Sequence, residues 1–149
     1  MTRSSTRGRR PLNKAMLLPL ATDYVRQMQL KHHLALAAMR DGHGDIQSIG
    51  TLLTVLYLAF HLRDLAGEKD VAFYRSVEVI LDAYTERAES DDWTLLDAER
   101  LALEQLLAVY DAQLAAVPRH LYIDACDKAT RFFQAAGQSP IPVSVIKTS

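Results

Sequence analysis

The chain has 149 residues, 49% hydrophobic and 23% charged, with 17 Lys+Arg against 18 Asp+Glu for a net charge of −1. That is the composition of one globular domain able to bury a core, which excludes a disordered or fibrous chain. Cys126 is the only cysteine, which excludes an internal disulfide and a cysteine-rich zinc site, so a reducing cytoplasm is the expected compartment.

The charge is unevenly placed. The start MTRSSTRGRRPLNK carries Arg3, Arg7, Arg9, Arg10 and Lys14 without an acid, and the first carboxylate is Asp23. The remainder holds 12 Lys+Arg against 18 Asp+Glu, so a basic arm is tied to a mildly acidic body. Like charges in a block repel one another and resist folding, and such blocks often meet polyanions. Residues 1–14 are therefore expected to be a disordered basic arm, with those five cations as the candidate nucleic-acid-binding residues. Arginine forks match phosphate oxygens, and Ser4, Ser5 and Thr6 can add hydrogen bonds. The plainer alternative is a solubilising tail. Arg9-Arg10 also suggests a twin-arginine signal, but the apolar run after it, Ala15 to Ala21, is short and broken by Pro19, so no targeting segment is expected.

A helical bundle domain is predicted over 15–137. Its first helix spans about Leu20 to Arg40, with Ala21, Val25, Met28, His32, Ala35 and Met39 as the inward stripe and Arg26, Gln29, His33 and Arg40 opposite. Gly42 and Gly44 end it. Asp45 caps a second helix, about Ile46 to Ala66, that is apolar nearly all round through Ile49, Leu52, Leu53, Val55, Leu56, Leu58, Ala59, Phe60 and Leu62. Only Gln47, Thr51, Thr54 and His61 mark a thin polar line, so this helix is expected at the centre of the bundle or in an oligomer interface. Its most apolar run, Ile49 to Leu62, is too short for a membrane span, which needs about 20 apolar residues, and it contains Thr51, Thr54 and His61.

The third helix, 68–89, packs Phe73, Val77, Ile80, Tyr84 and Ala88 inward and turns Glu78, Asp82, Glu86 and Glu89 outward as an acidic face. Ser90-Asp91-Asp92 breaks it, and Thr94-Leu-Leu-Asp97 resembles a capping box for the fourth helix. That helix runs to about Val117 with Leu96, Leu103, Leu106, Tyr110 and Leu114 inward, and Pro118 interrupts it. A fifth helix, about Arg119 to Ala136, packs Tyr122, Ala125, Ala129, Phe132 and Phe133. Residues 138–149 form an extended apolar tail that either folds back or is offered to a partner through 141–146.

No GxSxG, HExxH, CxxC or phosphate-binding glycine loop occurs, so no enzyme activity and no cofactor are expected. His32 and His33 are adjacent on one helix and point in different directions. His32 and His61 could meet across helices as a metal or ligand site; the plainer reading is two hydrogen-bonded interior imidazoles. Asp41-Gly-His-Gly-Asp45 reads as a helix stop followed by a cap rather than a calcium loop. Cys126 reads as core packing, and Trp93 as a staple at a helix junction.

The segment Trp93 to Phe133, with W-T-L-L-D-A-E-R-L-A-L and then L-L-A-V-Y-D-A-Q-L-A-A-V-P-R-H-L-Y-I-D-A, resembles the C-terminal half of small helical proteins encoded in accessory DNA of Burkholderia-like bacteria. The resemblance implies a phage, plasmid or genomic-island protein with a basic arm ahead of an apolar helical body. It transfers no functional residue.

The resulting expectation is an all-α domain, a four- to five-helix bundle around the helix at 46–66. Its expected function is that of a non-enzymatic accessory regulatory protein whose arm contacts nucleic acid. The alternatives are a protein-only adaptor or inhibitor docking through helix 68–89 or tail 141–146, and a metal- or ligand-binding bundle. A homodimer is expected from the apolar surplus of the second helix and from the tail. No membrane partner is expected.

Overall fold

The computed structural model describes residues 13–64, 70–135 and 141. The chain is all-α, with α1 at Lys14–Leu17, α2 at Thr22–Arg40, α3 at Ile46–His61, α4 at Val71–Glu89, α5 at Asp97–Ala116 and α6 at Arg119–Ala135. No strand occurs among the described residues; the single bridge pairs Pro19 with Pro118.

The first predicted helix is divided. Lys14, expected at the end of the arm, instead opens the one-turn α1, whose free Met16 N–H is capped by the Asn13 side chain at 3.0 Å. The chain then stays extended to Ala21, because the Leu18 carbonyl accepts from Arg119 N–H at 2.8 Å and Pro19 bridges Pro118. Ala21, expected on the inward stripe, is the exposed N-cap of α2. Of the rest of that stripe, His32 and Met39 are buried and Val25, Met28 and Ala35 half-buried, while Leu36, beside the stripe, is buried with them.

At the end of α2, Gly42 takes a φ of +81°. His43 N–H reaches back to the Ala38 carbonyl at 2.8 Å and Gly42 N–H to Met39 at 3.2 Å, a Schellman stop. Asp45 then caps α3, accepting from Ser48 N–H at 2.8 Å while the Ser48 hydroxyl returns to Asp45 N–H at 3.4 Å. The helix ends at His61 rather than Ala66, in a turn over Leu62 to Asp64. From α5, the buried Gln113 amide donates to the Ala59 and Leu62 carbonyls at 3.1 Å each, satisfying acceptors that a helix end leaves free.

The centre of the bundle is α3, which packs against α2, α4, α5 and α6; α5 also packs against α2 and α4, and α1 against α6 alone. Leu52, Val55, Leu56 and Ala59 are 0% exposed, so the apolar surplus of α3 is covered within one chain. Ile141 is buried in the same core; residues 136–140 and 142–149 lie outside the described residues.

Three expectations for polar and apolar faces are corrected. Glu78, placed on the solvated acidic face, is only 3% exposed: it accepts from the Tyr57 hydroxyl at 2.5 Å and from the Arg75 guanidinium at 2.5 Å. Its position one turn from Tyr74 and Leu81 puts it on the buried side of α4, where two donors offset its lost hydration. Asp82, Glu86 and Glu89 remain exposed. Leu96, placed inward, is the exposed N-cap of α5, and Phe133 is also exposed while meeting Tyr57 edge-on. The Thr94–Asp97 capping box does not form. The carboxyl of Glu99 instead accepts from Leu96 N–H at 3.0 Å and from the Arg87 fork at 2.6 and 3.0 Å. That tie joins the start of α5 to the last turn of α4.

Candidate functional site

The helices α2 and α6 both lie on α3, yet their backbones do not approach each other. A groove of about 810 Å³ opens between them. Its floor is the small-residue side of α3, Gly50, Thr51 and Thr54, with Leu58 deeper in; one wall is Met28 to Ala38 of α2, and Tyr122 and Cys126 of α6 close the far side. A side chain at Gly50 would meet nothing within 4 Å, so the floor there is open backbone. The Thr54 hydroxyl turns back to donate to the Gly50 carbonyl at 2.9 Å.

The lining includes buried polar side chains. His32 is 3% exposed, lines the groove and tilts against Tyr110 with ring centroids 5.3 Å apart. Its Nδ1 is buried without a hydrogen-bond partner. Burial lowers its pKa to about 4, helped by Lys31 and His33 and opposed by Asp111, so the ring is neutral near pH 7. The Tyr122 hydroxyl shares a hydrogen bond with Tyr24 at 2.6 Å, the one side-chain tie between α2 and α6 given by the described hydrogen bonds. Burial pushes the hydroxyls of Tyr110 and Tyr122 and the Cys126 thiol upward, so all three keep their protons. The thiol is not a nucleophile at neutral pH. Lys31 and Asp45, of opposite sign, also line the groove.

The residues nominated from sequence fall elsewhere. Arg3, Arg7, Arg9 and Arg10 lie outside the described residues. Lys14 is exposed on α1, which is held on α6 by the Arg119–Leu18 hydrogen bond and by His120 Nδ1 against the Met16 carbonyl at 3.0 Å. His32 and His61 are not brought together: the charges around His61 are Lys128, Arg63 and Asp124, those around His32 are Lys31, Asp111 and His33. No group of three or more His, Cys, Asp or Glu side chains that could hold a metal occurs among the described residues. Asp41 and Asp45 serve as a C-cap and an N-cap. His33, on the outer face, reaches Asp111 of α5 at 2.8 Å.

The groove is not among the sites expected from sequence, although Gln47, Thr51 and Thr54 of the thin polar line are part of its lining. Small or polar residues suit a helix face that no neighbour covers. No helix among the described residues is long and apolar enough to cross a membrane. No protein-family model, curated protein or solved structure matches this chain.

Proposed function

We propose that this chain is a non-enzymatic accessory regulatory protein, of the kind carried on mobile DNA, that acts by binding and contacts nucleic acid through its basic arm. The observation that carries the reading is the charge division: Arg3, Arg7, Arg9, Arg10 and Lys14 stand without an acid ahead of an acidic body. Lys14, the last of them, sits on α1, and α1 is clamped to α6. Phosphate contacts of this kind supply affinity by counterion release and carry little sequence information. The test is binding of duplex DNA across a salt series by the full chain and by the variant with Arg3, Arg7, Arg9 and Arg10 changed to Ala. The salt slope is expected to fall by up to about 4, with an unchanged helical circular dichroism spectrum. Equal affinity of the two proteins would overturn the reading.

A second copy of the chain as partner is favoured by a separate observation. Leu30 and Leu34 stand one turn apart on the outside of α2, and Ile46 at the start of α3 is 81% exposed. Such an apolar rim is a common mark of a protein contact. Light scattering over a dilution series, with Leu30→Asp/Leu34→Asp as the comparison, distinguishes a dimer from a monomer.

A further inference from the structure

We propose that a second, smaller pocket, between the starts of α2 and α6, takes one unpaired base of a nucleic-acid strand whose phosphates are held by the basic arm and by Arg119. The inference rests on the reading of the arm as a phosphate-binding segment. It names the form of nucleic acid that this end of the bundle accepts, a single strand.

The pocket, of about 200 Å³, is lined by Leu20 and Ala21 ahead of α2, Tyr24 in its first turn, and Arg119, Tyr122 and Ile123 of α6. Two ties shape it. The Leu18 carbonyl accepts from Arg119 N–H at 2.8 Å and Pro19 bridges Pro118, which holds the extended segment beside α6. The Tyr24–Tyr122 hydroxyl bond at 2.6 Å then fixes the first turn of α2 to the same helix. Ala21 falls between the ties and offers only a methyl group to the space.

The size and lining define the ligand. The volume is below the about 300 to 1,000 Å³ of sites for whole small molecules, so the pocket suits one ring of a larger ligand. Its walls are apolar and aromatic, and Arg119 is the one charged residue that lines it, so the ring is joined to an anion. A ring joined to an anion, repeated along a polymer, is a nucleotide. A duplex keeps its bases stacked inside, whereas an unpaired base is free to enter a pocket. Tyr24 is 39% exposed and supplies aromatic surface of the kind on which bases of any identity stack.

The charges around the pocket supply a separate observation. Arg119 is exposed and, like Lys14, has no ion pair among the described residues, whereas Arg75, Arg87, Arg100 and Lys128 each reach a carboxylate. Lys14 lies about one turn before Leu18, the residue bonded to Arg119, so the α1–α6 clamp brings both free cations to the end of the bundle where the arm joins it. A guanidinium fork matches phosphate oxygens. Phosphate contacts position a strand without reading it, and the pocket adds what the arm alone lacks, a preference for bases that are not paired.

The experiment is fluorescence anisotropy of the full chain across a salt series with three probes: a labelled oligothymidylate, the same strand annealed to oligodeoxyadenylate, and an abasic strand of the same length. The thymidylate is expected to bind about fivefold or more tighter than the abasic strand. Ala21→Leu, from an exposed position, and Ile123→Phe, from the opposite wall, fill the pocket. Each is expected to bring the thymidylate down to the abasic level and to leave duplex affinity and the circular dichroism spectrum unchanged. Arg119→Gln is expected to lower the single-strand salt slope by about 0.7, the share of one phosphate, while Arg131→Gln, about three turns further along α6, leaves it as it was. Equal binding of thymidylate and abasic strands by the unmodified chain would overturn the proposal. So would an equal loss for strand and duplex in both pocket variants, or a salt slope untouched by Arg119→Gln. The variant with Arg3, Arg7, Arg9 and Arg10 changed to Ala is expected to weaken strand and duplex alike. That loss with silent pocket variants removes this inference and leaves the arm reading standing, whereas an arm variant as tight as the full chain on every probe removes the arm reading itself.

Discussion

Acidification is expected to destabilise this protein through His32. In the unfolded chain the imidazole takes a proton near its ordinary pKa of 6.5, whereas in the folded protein burial holds the pKa at about 4. A folded pKa below the unfolded one means that the contribution is complete above the higher value and is lost as pH falls toward the lower. The span of the two values sets an upper limit of about 3 kcal/mol at about 1.4 kcal/mol per pKa unit. Water in the adjoining open groove screens part of this, and about 2 kcal/mol is the expected loss between about pH 7 and pH 4.5. The groups that set the shift are burial, Lys31 and His33, with Asp111 working against them. Urea denaturation of the unmodified chain and of His32→Phe at both pH values isolates the effect, because the other titrating groups are common to both. His61, also lowered by burial, cancels in the comparison. The unmodified protein should lose about 2 kcal/mol more than the variant. Parallel losses would show that His32 titrates normally in the folded state and refute the reasoning.

Other perturbations test the packing directly. Leu56 is 0% exposed, and Leu56→Ala should cost about 2–5 kcal/mol in urea denaturation; a loss under about 0.5 kcal/mol would mean that α3 is not central. Glu78→Ala removes the acceptor that Tyr57 and Arg75 share, and should cost about 1–3 kcal/mol by the same assay, whereas Asp82→Ala on the exposed face should stay within about 0.5 kcal/mol. The two glycines flanking the Asp45 cap should behave oppositely in thermal denaturation. Gly50→Ala meets nothing and should stabilise by up to about 1 kcal/mol, while Gly44→Ala would drive a Cβ into the Tyr84 hydroxyl and should destabilise.

What the sequence by itself determined are the features whose causes lie within one turn of chain. Asp45 with Ser48 starts α3, Gly42 stops α2, and Pro118 separates α5 from α6, because caps, left-handed stops and missing N–H groups act between near neighbours. The three/four spacing likewise marked His32, Met39, Val77, Leu103 and Tyr110 for the interior, and the all-round apolar stretch marked α3 as the central helix. The tertiary structure decided what happens to polar groups on those faces, because their partners come from far along the chain. Buried Glu78 takes one of its two donors from Tyr57, 21 residues earlier, and the buried Gln113 amide donates to carbonyls 54 and 51 residues earlier. The groove is of the same kind. Thr51 and Thr54 read as part of a polar line in an apolar helix, and only the divergence of α2 from α6 turns them, with Gly50, into the floor of a groove. A periodic pattern reports which side of a helix avoids water; whether another helix lies over a given part of it is settled by packing between distant segments.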